Sequence, residues 1–216
     1  LPNVQSIVFK EHEGSFLVGA LAAMKSQTGK VGFVGGMDIP LIRRFACGYV
    51  QGVKHINASA KVFQKMTGTT PAAWNDPTRG GELAKSMYDN GADIVYAAAG
   101  GTGLGVLQAA ADNKKLSIGV DSNQNHIQPG YVLTSMLKRV DVASYEVFKT
   151  AHDGTWKPGF KVLGLKEDGV GWSLDEHNVN LVDKQMIMKV EMIRRDINTG
   201  LIKVHDYMSN NSCPVQ

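Results

Sequence analysis

"DIVYAAAGGTGLGVLQAAADNKKLSIGVDSNQ", residues 93–124, is the stretch that decides the fold. The apolar run DIVYAAA (93–99) reads as a buried strand, and it breaks into a glycine-rich turn followed by an Ala/Leu-rich helical pattern. KLSIGVD (115–121) then returns as a second buried strand ending in Asp121. Strand, turn, helix and strand at this spacing form a right-handed parallel unit. The outline is that of a dinucleotide site, but that fingerprint needs glycines at i, i+2 and i+5. Counting from Gly101 gives Gly103 and then Val106, so the fingerprint fails, and no GK[ST] follows to cradle a phosphate. A weaker property survives. Gly100, Gly101 and Gly103 either let backbone approach a ligand closely at a helix N-terminus or serve only the tight turn. At the end of the next strand, the Asp121 carboxylate can accept hydrogen bonds from two vicinal hydroxyls, as in nicotinamide enzymes and in sugar binders alike.

The same alternation runs outward in both directions. VQSIVF (4–9), KVGFVGG (30–36), AKVFQKM (60–66) and YVLTSML (131–137) read as further strands, mostly buried and parallel. Helical patterns fill 15–27, 40–57, 79–90, 103–114 and 141–152, several closed by Gly or Asn. The predicted class is therefore α/β with parallel sheets. GFKVLGLKEDGVGWS (159–173) reads as a strand pair or loop, and NLVDKQMIMKVEMIRRDINTG (180–200) as a long amphipathic helix with Met186, Met188 and Met192 in the core.

Composition narrows the function. The 216 residues carry 23 Lys and Arg against 20 Asp and Glu, a net charge of +3, with no basic run, so nucleic acid is not an expected partner. The longest apolar stretch, FLVGALAAM (16–24), is about half of the roughly 20 residues a membrane span needs. The stretch begins at Leu1 without a charged segment leading into an apolar one, which predicts that a targeting segment was removed or the chain cut. Cys47 and Cys213 lack metal-ligand spacing; they are either free or, in an oxidising compartment, bridged. No nucleophile elbow or HExxH occurs, and the six histidines are scattered. Binding without chemistry is the expectation, with no cofactor and no metal. The polar, glycine-rich segments after each strand (KEHEGS, GGMDIP, AWNDPTRG, AGGTGLG, DSNQN, KRVD) suit a small polyhydroxylated ligand.

The blocks EHEGSFLVGALAAMKSQTGKVGFVGGMDIPLIRRFACGYVQGV, WNDPTRGGELAKSMYDNGADIVYAAAGGTGLGV, IGVDSNQ and VLTSMLKRVDVA, in that order over nearly the whole chain, resemble the basic membrane protein family of ABC-transporter substrate-binding proteins, which includes purine nucleoside receptors. The resemblance implies a type I periplasmic-binding-protein fold, two α/β lobes with parallel sheets that close on ligand. It implies an extracytoplasmic protein, periplasmic or lipid-anchored in its precursor, that binds purine nucleosides or related ribosides and delivers them to a membrane permease. Nothing matches the opening of the family's first lobe, which implies an incomplete first lobe: residues 1–29 and 133–160 are its remnant, 30–132 and 161–200 form the second lobe, and 201–216 are a tail.

Carried onto this chain, the family's roles put Trp74 against the purine ring, Asp121 and Lys138 on the ribose, Gly100 and Gly101 at backbone distance from ligand, and Met37 in the cleft wall. From the residues alone, Trp74 reads equally as a loop aromatic covering the core and Lys138 as a solvated base. Two other classes remain: a Rossmann-like nucleotide-dependent enzyme, and the effector domain of a transcription regulator.

Overall fold

The structure, a computed structural model, describes residues 1–215. In chain order the elements are β1 (Gln5–Phe9), α1 (Glu11–Lys25), β2 (Lys30–Met37), α2 (Pro40–Ile56), β3 (Lys61–Gly68), α3 (Pro77–Asp89), β4 (Ile94–Ala98), α4 (Thr102–Asp112), β5 (Leu116–Asp121), β6 (Val132–Lys138), α5 (Val140–His152), β7 (Gly159–Leu163), β8 (Val170–Trp172) and α6 (Lys184–Asn198). Six strands make one sheet in the order β3-β2-β4-β5-β6-β8, parallel except for the antiparallel edge strand β8. β1 and β7 pair in parallel as a separate two-stranded sheet.

The large sheet is buried on both faces, which is why its strands read as continuous apolar runs. On one face Phe33, Ile94, Tyr96 and Ile118 pack under α1, α2 and α6, where Met186, Val190, Ile193 and Ile197 form a helical stripe. On the other face Val34, Val95 and Ala97 pack under α3 and α4 through Ala84, Met87, Tyr88 and Val106. Both helix pairs meet at backbone distance. A Cβ on Gly48 would lie 2.3 Å from the His12 carbonyl oxygen, one on Gly52 2.0 Å from that of Phe16, and one on Gly19 2.2 Å from that of Tyr49. Between α3 and α4, a Cβ on Gly105 would come within 1.7 Å of the Pro77 carbonyl oxygen.

Several sequence expectations are corrected. The segment 159–173 does form two strands, but they join different sheets: β7 pairs with β1 and β8 with β6. Helix α1 starts at Glu11, four residues before the apolar pattern, because Glu11 is buried by pairing with Arg44 of α2 at 3.0 Å. Of the three methionines assigned to the core, Met186 is buried, whereas Met188 and Met192 face solvent on the outer side of α6. The lobe division shifts as well. α1 is almost wholly buried against α2, and β6 is hydrogen-bonded to β5, so residues 11–25 and 132–138 lie with the large sheet; β1, β7 and α5 stand outside it.

The chain passes between these two bodies three times, at 9–11, 138–140 and 163–170, and the crossings are stitched together. Lys10 N donates to the Leu163 carbonyl (2.9 Å), Arg139 N to that of Gly169 (2.8 Å), and Leu165 N to Glu13 Oε2 (2.9 Å). Arg44 closes the assembly from α2, donating to the Phe9 carbonyl (2.9 Å), to Glu11, and through both Nε and Nη2 to Asp206. Cys47 and Cys213 are bridged, with Cα atoms 5.6 Å apart, so the expected tail is fastened onto α2 at Cys213. His12 is buried beside this cluster, and its Nδ1 has no hydrogen-bond partner among the described residues. Burial, which Asp206 opposes and Arg44, Lys10 and His205 reinforce, lowers its pKa to about 4.

Two outcomes follow from this packing. Gly52→Ala has no room for its methyl group and should destabilise the fold by about 1–3 kcal/mol, read as a lower urea midpoint; Gly171→Ala, where a Cβ meets nothing within 4 Å, should leave the midpoint in place. His12, with its folded pKa below the unfolded value, contributes stability that is complete above pH 6.5 and is lost as pH falls towards 4. That loss is on the order of 3 kcal/mol, and a His12→Gln variant should show a correspondingly flatter denaturation profile between those pH values.

Candidate ligand site at the strand ends

In a doubly wound sheet, ligands sit beyond the carboxyl ends of the strands, at the point where strand order reverses. Here the chain runs from β2 outward to β3 and then back past β2 to β4, so the reversal lies between β2 and β4. β2 ends in Gly36 and Met37, and Ile39 N folds back onto the Met37 carbonyl at 2.9 Å, turning the chain away from the crevice. β4 ends ahead of Gly100, which takes φ +57°, and Gly101 caps α4.

Trp74 stands over this reversal point. It closes a short 3-10 turn, Pro71–Trp74, and its half-buried indole lies on Gly36, where a Cβ would be 2.4 Å from the ring. A Cβ on Gly100 would lie 3.3 Å from the Trp74 carbonyl oxygen. Thr102, fully buried, locks the arrangement: its Oγ1 donates to the Ala73 carbonyl (2.8 Å) and accepts from Asp76 N (2.8 Å). Trp74, Gly100, Gly101 and Met37 therefore belong to one end of the sheet edge. Glycine is required at 36 because the indole occupies the space of a side chain, a role the sequence alone does not disclose.

Asp121 and Lys138 form the second cluster, at the ends of β5 and β6. They are ion-paired at 3.2 Å, with side chains 51% and 24% exposed. Asp121 has φ +65°, a left-handed conformation uncommon outside glycine and asparagine, and Ser122 N closes a tight turn around it onto the Val120 carbonyl at 2.8 Å. A cavity of about 490 Å³ opens here, lined by Asp121, Asn123, Leu137, Lys138, Val140 and Asp141 among others. The Lys138 ammonium also lies 6.0 Å from the centroid of Phe9, at the first crossing. Strands in a sheet are spaced about 4.8 Å apart. The two clusters, at β2/β4 and β5/β6, are thus about 10 Å apart along one edge.

A larger cavity of about 710 Å³ runs between α3 and α4, around Pro77, Gly81 and Leu104. Asp175, Glu176 and His177 bring ligand atoms within 4.8 Å of one another, but both Asp175 oxygens already accept hydrogen bonds, from Asn123, Asn125 and His177 N. That carboxylate serves the loop rather than a metal ion. No described helix is long and apolar enough to cross a membrane.

Comparison with known proteins agrees with this architecture. Residues 2–207 match the family described as Bmp, ABC transporter substrate-binding protein PnrA-like. Basic membrane protein D of Borreliella burgdorferi is 36% identical over 99% of this chain and 63% of its own length. The ABC transporter nucleoside-binding protein BmpA of Lactococcus lactis is 32% identical over 88% of this chain and 58% of its own. The crystal structure of an ABC transporter system solute-binding protein from Aeropyrum pernix superposes with a TM-score of 0.81 at 31% identity, covering 94% of this chain and 66% of that one. The chain thus spans about six tenths of the length of the curated relatives it matches. The Lactococcus relative and the Aeropyrum structure are both named as binding proteins of ABC transporters, and the fold is that of type I periplasmic binding proteins. The chain belongs to the Bmp family of PnrA-like ABC transporter substrate-binding proteins.

Proposed function

We propose that this chain forms the larger part of the ligand cleft of an extracytoplasmic receptor for an ABC importer, and that the ligand is a purine nucleoside or related riboside handed on to a membrane permease. The observation that carries the reading is the placing of two unlike clusters on one sheet edge. An aromatic surface at one set of strand ends suits a base, and an ion-paired carboxylate further along the same edge suits a ribose diol. On this reading Met37, at the end of β2, would line the crevice beside Trp74, and Gly100 and Gly101, which pack against the Trp74–Asn75 segment, would keep the backbone low there. The bridged cysteines favour an oxidising compartment.

The second wall of the cleft would come from the body that β1, β7 and α5 begin. Its two-stranded sheet has open outer edges among the described residues, and Phe148, Phe160, Tyr145 and Val162 are exposed on it, Phe160 to 83%. Exposed apolar side chains in this number mark a surface to be covered. On this reading the additional length of the relatives would supply the rest of this lobe.

In a receptor carrying both lobes, Asp121→Gly keeps the left-handed backbone and removes the carboxylate. Loss of a charged hydrogen bond costs about 1.5–3 kcal/mol, so adenosine and guanosine affinity measured by calorimetry should fall at least tenfold, with binding of the free bases little changed. Intact adenosine binding by this variant would overturn the sugar-recognition assignment. Trp74→Ala should weaken nucleosides about fivefold, from the roughly 1 kcal/mol of stacking, and leave free ribose nearly unaffected; equal losses for both would make Trp74 a structural residue.

A further inference from the structure

The loop that follows β5 is held by a closed polar net that reaches across the sheet edge to the segment after the third crossing. Asn125 is fully buried at its centre. Its Oδ1 accepts from Ser135 Oγ (2.9 Å) and Ser173 Oγ (3.2 Å), and its Nδ2 donates to Asp175 Oδ2 (3.0 Å). Ser135 Oγ in turn accepts from Gln124 N (2.9 Å), and the Gln124 side chain accepts from Val120 N (2.9 Å), the residue immediately before Asp121. Asn123 Nδ2 meets the same Asp175 oxygen at 2.6 Å, while Asn123 Oδ1 accepts from Asn125 N at 3.0 Å.

Asp121 sits within this net without being a member of it. Its side chain touches only Lys138 among the described ion pairs, yet its backbone is held in the costly left-handed region by hydrogen bonds on either side. Asp175 does not line the cavity beside Asp121. Burial works to raise the Asp175 pKa, but the hydrogen bonds from Asn123, His177 N and Asn125 outweigh it, and the group is held below the usual carboxylate range.

We propose that Asp175 and Asn125 are the positioning pair for Asp121: they fix the loop 121–125 so that the Asp121 carboxylate faces the cleft, and thereby set affinity for the sugar half of the ligand without contacting it. This deepens the riboside assignment above and rests on it. A carboxylate can accept from Asn123 and Asn125 on one oxygen and from His177 N on the other, whereas an amide at 175 replaces one acceptor with a donor and opposes one of these contacts. The loop then loses the anchor that keeps Asp121 in its left-handed state.

The test is a double-mutant cycle in the two-lobed receptor, with adenosine and free adenine as probes. Asp175→Asn should lower adenosine affinity about five- to tenfold and leave adenine affinity unchanged, and the loss should largely disappear in the Asp121→Gly background. Ser173→Ala removes both a donor to Asn125 and the acceptor for Ser135 N (2.9 Å) with little change of volume; it should act in the same direction and serves if Asp175→Asn does not fold. Three results would overturn the proposal: unchanged adenosine affinity in the Asp175 and Ser173 variants while Asp121→Gly is impaired, equal losses for adenosine and adenine, or a loss that persists in full without Asp121. If Asp121→Gly itself binds adenosine normally, the riboside assignment fails and the positioning role falls with it.

Discussion

The backbone contact between α1 and α2 is the constraint on which the remaining geometry rests. Gly19, Gly48 and Gly52 bring the two helix backbones together, where any side chain would collide with a carbonyl. α1 follows the first crossing directly, and α2 follows the strand whose end bears Gly36 and Met37. Fixing one helix on the other therefore fixes the first crossing relative to the carboxyl end of β2. Arg44 can reach Phe9, Glu11 and Asp206 together only because this seam is so close. A buried arginine that lost one of these partners would leave charge uncompensated in a poorly solvated place.

Much of the larger sheet was legible in the sequence, since parallel strands covered on both faces leave unbroken apolar runs such as DIVYAAA and KLSIGVD. The short strands were harder. Nothing local in GFKVLGLKEDGVGWS says that its two halves belong to different sheets, because the partner of a strand is a property of distant chain. The start of α1 was hidden for a similar reason: KEHEGS reads as a polar segment at a strand end until Arg44, 33 residues on, is brought to Glu11. The exposed Met188 and Met192 show the opposite error, since a residue's hydrophobicity does not say which side of a helix faces the core.

At the candidate site, strand position and the family resemblance point to the residues but not to their supports. Asp121 is a candidate because it closes a strand, and Lys138 because the family resemblance implies it; parallel register then brings the two strand ends together. Trp74 was visible as an aromatic in a turn; that Gly36 makes its berth was not. Asn125 and Asp175 lie 50 residues apart in loops of ordinary polar composition, and only the folded sheet edge joins them.

The left-handed backbone at Asp121 bears on how this position can drift over evolutionary time. Most side chains raise the energy of that conformation, and only glycine and the short Asx residues enter it readily. Substitutions at 121 are therefore filtered first by the backbone and only then by ligand. The cheapest departures are to asparagine, which exchanges a charged acceptor for a neutral donor and acceptor, and to glycine, which leaves a vacancy. A lineage changing its ligand would meet this limit before it could sample a large or β-branched residue here, so diversification of the pocket should proceed around Asp121 more readily than through it.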